Sequence, residues 1–281
     1  MRRWFTAKRL FTAWAVVVFA FLYLPIFTVI AFAFDANRFA TRWTHFTTDW
    51  FGEALRDDRY TSDIVVSFKI AILNALIATV LGTIAALALS RMRRRVRVPF
   101  DVIVYLTLVV PEIVIAVATL IFFVQVRNDV GIFPALGWET ILMAHVVFNS
   151  SIVMLIVRAR FVGMGQTLEE ASFDLGAGPL STFRQVTFPR LLPAIVAGML
   201  LSFTFSFDDY VISAFNSGGQ TETWPMAIWN DVRFGITPKI NALATMMFGV
   251  TVAGILLTGL VLRRSRGSES DQDVAAALGM G

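Results

Sequence analysis

Cysteine is absent from the 281 residues, so the chain holds neither a disulfide nor a thiolate metal site. Histidine occurs only at His45 and His145, in no metal-ligand spacing, and there is no HExxH run. No metal site is expected. A GxxxxGK[ST] phosphate loop is also missing. The nearest pattern, "GAGPLS" at Gly176 to Ser181, lacks a third glycine and follows no strand. If ATP takes part in the function, another chain binds it. No nucleophile, base and orienting group converge, which argues against a membrane enzyme and leaves no catalytic residue to assign. Charge is scarce: 16% of residues are Asp, Glu, Lys or Arg, against about a quarter in a soluble domain.

Apolar residues are abundant, at 57%, and the mean hydropathy is +0.70. They lie in runs of the roughly 20 residues that cross a bilayer. Six spans are expected, at about 11–34, 64–89, 101–124, 139–157, 191–214 and 241–262. Each must be a helix, because backbone without internal hydrogen bonds cannot cross lipid. The fold class is therefore all-α integral membrane, and no segment outside the spans is long enough to fold alone. The opening "MRRWFTAKRLFTAWAVVVFAFLYLPIF" superficially matches a secretion signal. Its apolar stretch is too long and lacks an AxA-type cleavage site, so it reads as a retained first span. After Leu262 the tail "GSESDQDVAAALGMG" reads as disordered.

The basic residues set the orientation. Arg2, Arg3, Lys8 and Arg9 precede the first span, and Arg91, Arg93, Arg94, Arg95 and Arg97 follow the second. Arg158, Arg160, Arg184 and Arg190 follow the fourth, and Arg263, Arg264 and Arg266 follow the sixth. All fall on one side of a six-span chain and make up most of its 24 basic residues. Both termini and the segment 158–190 are thereby expected in the cytoplasm. The pI near 9.8 then reflects topology, and "RMRRRVR" reads as a headgroup-facing loop rather than a nucleic-acid surface.

The segment 158–190 is polar, unlike its flanks. Thr167 and Glu170 have capping-box spacing. The helix they open carries Leu168, Ala171, Ser172 and Leu175 on one mostly apolar face, with Glu169, Glu170 and Asp174 off it. Gly176 stands where a left-handed C-cap is expected. Gly178-Pro179 turns the chain, a second short helix is expected over about 180–188, and Pro189 and Pro193 lead into the fifth span. From the physics alone, the apolar face either packs on the segment's own helix ends or receives a partner.

At these residues the sequence resembles the EAA motif of permease subunits of binding-protein-dependent ABC transporters. That motif is Glu-Ala-Ala, three residues, Gly, nine residues, a branched apolar residue, one more, and Leu-Pro. Glu170, Ala171, Gly176 and Pro189 match, while Ser172, Val186 and Phe188 depart from it. The resemblance implies that Glu170, Ala171, Ser172, Leu175, Gly176 and Pro189 form a coupling segment between helices 4 and 5 that docks on an ATPase. It also implies a dimer of ATPase subunits carrying ATP and Mg, a second homologous permease subunit, an extracytoplasmic binding protein, and a place in the bacterial cytoplasmic membrane. The expected organisation is a first span and outer segment at 1–63, a permease domain at 64–262 and a tail at 263–281. "VPEIV" (Val110 to Val114), "LSFTFSFDDYVIS" (Leu201 to Ser213) and "GITPKINALAT" (Gly235 to Thr245) are similar to the spermidine/putrescine branch, particularly its second, smaller permease subunit.

Carboxylates inside a span are costly and point to function. Glu112 is expected ~17 Å into the third span, and Asp208 and Asp209 ~22 Å beyond Pro193 in the fifth. Ser202, Ser206, Asp209 and Ser213 are spaced to share one face of the fifth helix. Glu112, Asp208, Asp209, Ser202 and Ser206 are the expected substrate pathway, with the carboxylates offsetting the charge of a polyamine. Asn74, Thr79, Thr83 and Asn149 read as helix-packing residues. The alternatives are a permease for iron, thiamine, an amino acid or an anion, and an ion-coupled secondary transporter, which would more often show two similar halves.

Overall fold

The computed structural model describes residues 2–37, 42–131, 134–165 and 167–277, excluding the side chains of 2–8, 262 and 264–277. The described residues form twelve α-helices: α1 (Arg2–Ala33), α2 (Asp49–Arg56), α3 (Asp58–Arg91), α4 (Arg94–Val109), α5 (Glu112–Val130), α6 (Trp138–Gly163), α7 (Thr167–Asp174), α8 (Pro179–Thr182), α9 (Phe188–Phe207), α10 (Val211–Asn216), α11 (Trp224–Val232) and α12 (Pro238–Ala277). Among these residues no strand forms beyond one bridge between Asp35 and Phe46. Six helical stretches are long and apolar enough to cross a membrane: Arg9–Ala33, Asp58–Arg91, Glu112–Val130, Trp138–Gly163, Pro179–Phe207 and Pro238–Val261. The expected number and type of spans therefore hold. Helix α12 continues through most of 263–281, the stretch expected as a tail, and 278–281 lie outside the described residues.

Two spans differ from expectation. The third was expected to run unbroken over 101–124, but α4 ends at Val109 and α5 starts at Glu112. Pro111 is the cause. It has no N–H to continue the ladder, and it pushes Val110 into an extended conformation at φ −64°, ψ 131°. The fifth was expected over 191–214, but α9 ends at Phe207 and α10 begins at Val211. On its other side this span starts early. Helix α8, a π-helical turn at Phe183–Thr187 and α9 run on without a break from Pro179. The separate helix expected over 180–188 is thus the first part of the span. Its wide turn lies immediately before Pro189, whose ring would otherwise meet the carbonyl four residues back.

The chain divides into two compact units, one of Met1–Ser62 with Ala227–Gly249 and the other of Asp63–Met226 with Val250–Gly281. In the second unit, α3, α6 and α9 supply the core cluster of Ala86, Leu89, Val153, Met154, Val157 and Leu191. Small residues let these helices approach. A β-carbon on Gly82 would lie 2.7 Å from the Ser150 carbonyl oxygen, and one on Gly198 3.3 Å from Val153 Cγ1. Without water to expel, close backbone contact of this kind is what joins helices in lipid. Arg158 grips both carboxylate oxygens of Asp101, and Arg97 adds a contact at 3.4 Å, tying α4 to α6.

In the first unit, the stretch after α1 is folded. Asp35 is buried and accepts hydrogen bonds from Thr44 N–H at 2.8 Å and Thr44 Oγ1 at 2.9 Å. The Trp50 indole donates to the Asp35 carbonyl at 2.8 Å, and Phe34 stacks on Phe46. Asp231 accepts from Arg59 at 3.1 Å and from Tyr60 Oη at 2.5 Å, while Lys239 donates to Asp57 at 2.6 Å.

Candidate functional site

Both helix breaks lie in the second unit, and they meet. A cavity of about 320 Å³ is lined by Glu112 from the first break, Asp208, Asp209 and Tyr210 from the second, and His145, Phe148 and Asn149 from α6, among others. Irregular backbone at membrane depth survives only where it is buried in protein or lines a cavity. Here it does both. No lysine or arginine is among the lining residues.

Each acid is placed by its break. Glu112 is the first residue of α5, where the helix dipole suits a negative charge. The expected depth of eleven residues into a span is thus corrected to a helix N-terminus created by Pro111. Asp208 caps α9, its N–H donating to the Thr204 carbonyl at 3.2 Å. Asp209 Oδ1 accepts the Ser213 N–H at 2.9 Å and so satisfies one of the free donors that open α10. The carboxyl groups of Glu112 and Asp209 lie within hydrogen-bonding reach of each other. Facing carboxylates repel, and a cation placed between them removes that repulsion.

Hydrogen bonds tie helix α10 to its neighbours in this position. Asn216 Nδ2 donates to the Ile212 carbonyl at 2.9 Å and to Thr119 Oγ1 at 3.1 Å, and Thr140 Oγ1 donates to the Asn216 carbonyl at 2.7 Å. Beneath it, Ile212 packs with Ala116, Phe123 and Ala144.

The polar stripe of the fifth span is divided by the break. Ser206 faces His145, with 2.7 Å between its Oγ and the imidazole Nδ1. Ser213 Oγ lies 3.3 Å from His145 Nε2. Ser202, by contrast, is fully buried against α3, where Asn74 Nδ2 donates to both its carbonyl and its Oγ at 3.0 Å. Ser202 therefore stands outside the cavity, and Asn74 is a helix-packing residue as expected.

Two cavity residues had no expected pathway role: His145 lacks metal-ligand spacing, and Asn149 reads from the sequence as helix packing. His145 is buried, with its two ring nitrogens against Ser206 and Asp209, the latter at 3.1 Å. Metal spacing was the wrong criterion for it; an ionisable residue within an apolar span is itself the signal. Asn149 lies one helical turn further on the same face and also lines the cavity. Among the described residues no group of three or more His, Asp or Glu could hold a metal ion.

The EAA-like segment forms a second candidate site. Helix α7 is eight residues long and starts at Thr167, so Thr167 stands inside the helix rather than capping it; Gln166 lies outside the described residues. Its C-terminus matches expectation. Gly176 adopts φ +83°, its N–H donates to the Phe173 carbonyl at 2.9 Å, and the Ala177 N–H donates to the Ser172 carbonyl at 3.1 Å. This pair of bonds is the Schellman arrangement. Ser172, expected on the apolar face, turns inward to Thr182 at 3.0 Å. Thr187 Oγ1 donates to Glu169 at 2.5 Å, and Arg91 lies 3.5 Å from the same oxygen. Polar contacts thus fasten α7 to the root of the fifth span. The segment exposes apolar side chains, Leu175 at 89% and Leu180 at 80%, with Leu168, Ala171 and Phe173 also exposed, beside the exposed Asp174. Glu170 is exposed at the same end, and Pro189 sits in the first turn of α9.

Known proteins resemble this chain in sequence and in fold. Residues 78–267 match the family described as binding-protein-dependent transport system inner membrane component. The chain is 38% identical over 259 residues to the putrescine transport system permease protein PotI of Escherichia coli, covering 90% of this chain and 92% of that one. It is 36% identical over 253 residues to the spermidine/putrescine transport system permease protein PotC of Haemophilus influenzae, covering 90% and 96%. Among solved structures, it resembles a chain of a bacterial ABC transporter involved in import of the acidic polysaccharide alginate, with TM-score 0.64, 16% identity and 95% and 99% of the two chains covered. A chain of an amino acid ABC transporter matches with TM-score 0.58, 18% identity and coverage of 78% and 99%. At these identities the structures speak for the fold alone.

Proposed function

The chain belongs to the binding-protein-dependent transport system inner membrane component family, and we propose that it is a permease subunit of an ATP-driven importer of polyamines. One observation carries the substrate class: the cavity at the two helix breaks is walled by three carboxylic acids, Glu112, Asp208 and Asp209, and by no lysine or arginine. A linear polycation needs counter-charge where it leaves water, and an anion would be repelled there. The relatives named for putrescine and spermidine transport point the same way.

The chain hydrolyses nothing. Both termini and α7 face the cytoplasm, where the basic residues concentrate. A dimer of ATPase subunits holds ATP and Mg and receives the apolar surface of Leu168, Ala171, Phe173, Leu175 and Leu180. Glu170, Gly176 and Pro189 fix the shape of that surface. A second, homologous permease subunit completes the pathway, and an extracytoplasmic binding protein delivers the polyamine. Closure of the ATPases moves α7; because α7 is bonded to Thr182 and Thr187, the motion passes to the root of α9 and along it to the break at Asp208. Alternating access follows as the break opens toward one side and then the other.

The test is uptake of labelled putrescine into proteoliposomes holding this chain, its partner subunits and the binding protein. Uptake that requires ATP and yields only to unlabelled putrescine and spermidine supports the proposal. Competition by ferric iron, thiamine or an amino acid instead would overturn the substrate, and uptake without ATP would overturn the mechanism.

A further inference from the structure

Asn149 adds something that the three acids do not explain. It is 2% exposed, it lines the acidic cavity, and its Oδ1 has no hydrogen-bond partner. A buried amide oxygen without a partner keeps its desolvation penalty uncompensated. Such a group in a native fold is explained when something outside the chain fills it. The hydrogen-bonding capacity around it is one-sided. Both ring nitrogens of His145 are engaged, with Ser206 and with Asp209 and Ser213. Glu112, Asp208 and Asp209 bring acceptors when ionised, and Asn149 Oδ1 is one more. Asn149 Nδ2 is the unengaged side-chain donor beside them, so acceptors outnumber free donors in the cavity. Its occupant must supply N–H groups as well as positive charge.

We infer that this cavity is a subsite for one primary ammonium group, with Asn149 Oδ1 as the neutral acceptor that selects N–H donors over charge alone. The inference rests on the polyamine reading above and names the part of the substrate that is recognised. A primary ammonium presents three donors, which suits two carboxylates and one amide oxygen. The volume of about 320 Å³ is the liquid share of about ten waters, enough for a chain end and a few methylenes. The neutral oxygen has a further consequence. A pathway must hold its cargo weakly enough to release it. An amide oxygen supplies direction and selectivity without adding a further negative charge, as an aspartate at the same place would.

The absence of cysteine permits a direct test that does not involve the binding protein. A single Val211→Cys places a thiol on the cavity wall. The assembled complex, in proteoliposomes without binding protein, is labelled with a thiosulfonate reagent. Putrescine is then compared with its bis-trimethylammonium analogue, which keeps both charges and has no N–H. The expected result is protection by putrescine at roughly ten-fold lower concentration than by the analogue, the worth of one hydrogen bond to a charged group. Asn149→Leu narrows the gap to about two-fold or less, and Asn149→Asp, which keeps an acceptor, preserves it. Equal protection by both compounds in the wild-type background overturns the ammonium subsite and leaves the polyamine reading in place. Protection by neither overturns both. Should the leucine variant fail to co-purify with its partners, the wild-type comparison and the aspartate variant still decide the matter.

Discussion

Replacing Gly176 separates shape from contact in the proposed coupling segment. Its φ of +83° is a left-handed conformation that costs an L-residue with a β-carbon about 1–2 kcal/mol. A β-carbon there would meet nothing within 4 Å, so in this chain the whole penalty is backbone strain. Helix α7 has eight residues, too few to persist without its end bonds. Losing the bonds from Gly176 and Ala177 therefore frays it. A penalty of one or two kcal/mol changes the population of the capped form by roughly 5- to 30-fold. Since Asn tolerates the left-handed region better than Ala, and Val tolerates it worst, ATP-dependent uptake falls in the order Gly, Asn, Ala, Val. The complex still assembles, because Gly176 lies outside every buried cluster. The assay is labelled-putrescine uptake normalised to co-purified ATPase. Wild-type uptake in Gly176→Ala with a loss in Gly176→Asn would refute the reasoning, because side-chain size against a partner would then matter and backbone shape would not.

Three further outcomes follow from other parts of the fold. Gly82→Ala puts a β-carbon 2.7 Å from the Ser150 carbonyl oxygen and 2.9 Å from the Met154 nitrogen, backbone that cannot yield cheaply. The complex should lose on the order of 1–3 kcal/mol, read as a lowered melting temperature, and an unchanged melt would show that α3 and α6 are further apart. Asn74→Leu removes both bonds to Ser202 and should cost about 1 kcal/mol of stability while leaving substrate preference intact; a changed preference would bring Ser202 into the pathway. The hydrogen bond from Lys239 holds the Asp57 carboxyl below the usual carboxylate range. That contribution is complete above the ordinary Asp value and is lost only as pH falls through the lowered one. Asp57→Asn should therefore destabilise equally at pH 5 and pH 8, and an effect that disappears at pH 5 would contradict the pairing.

Much of this was legible in the sequence, for definable reasons. Six spans follow from apolar runs, and composition alone makes them helices. The left-handed turn at Gly176 follows from a helix with an apolar face that ends in Leu-Gly. The breaks were harder. Pro111 was visible, and its effect on Val110 is local physics, yet continuous hydropathy hid it. The break at Asp208 to Tyr210 has no Pro or Gly to announce it. It is stabilised by tertiary partners, His145 for the Asp209 carboxylate and Thr119 and Thr140 for Asn216, and no local pattern encodes those. For the same reason the Ser202, Ser206, Asp209 and Ser213 spacing, correct for a straight helix, did not reveal that Ser202 faces α3. His145 and Asn149 needed the fold, because only the fold brings α6 to the break.

The central claim, that the cavity at the two breaks passes cations by virtue of its carboxylates, is tested most directly by charge-selective labelling. With Val211→Cys as the only thiol of this chain, the rates at which an ammonium-bearing and a sulfonate-bearing thiosulfonate label this chain are compared in the assembled complex, with and without Asp209→Asn. Asparagine keeps the oxygen that receives the Ser213 N–H, removes the charge and turns the other oxygen into an N–H donor. The account predicts that the cationic reagent reacts at least ten-fold faster and that Asp209→Asn reduces that ratio several-fold. Equal rates for the two reagents, or a ratio that Asp209→Asn leaves unchanged, would contradict it.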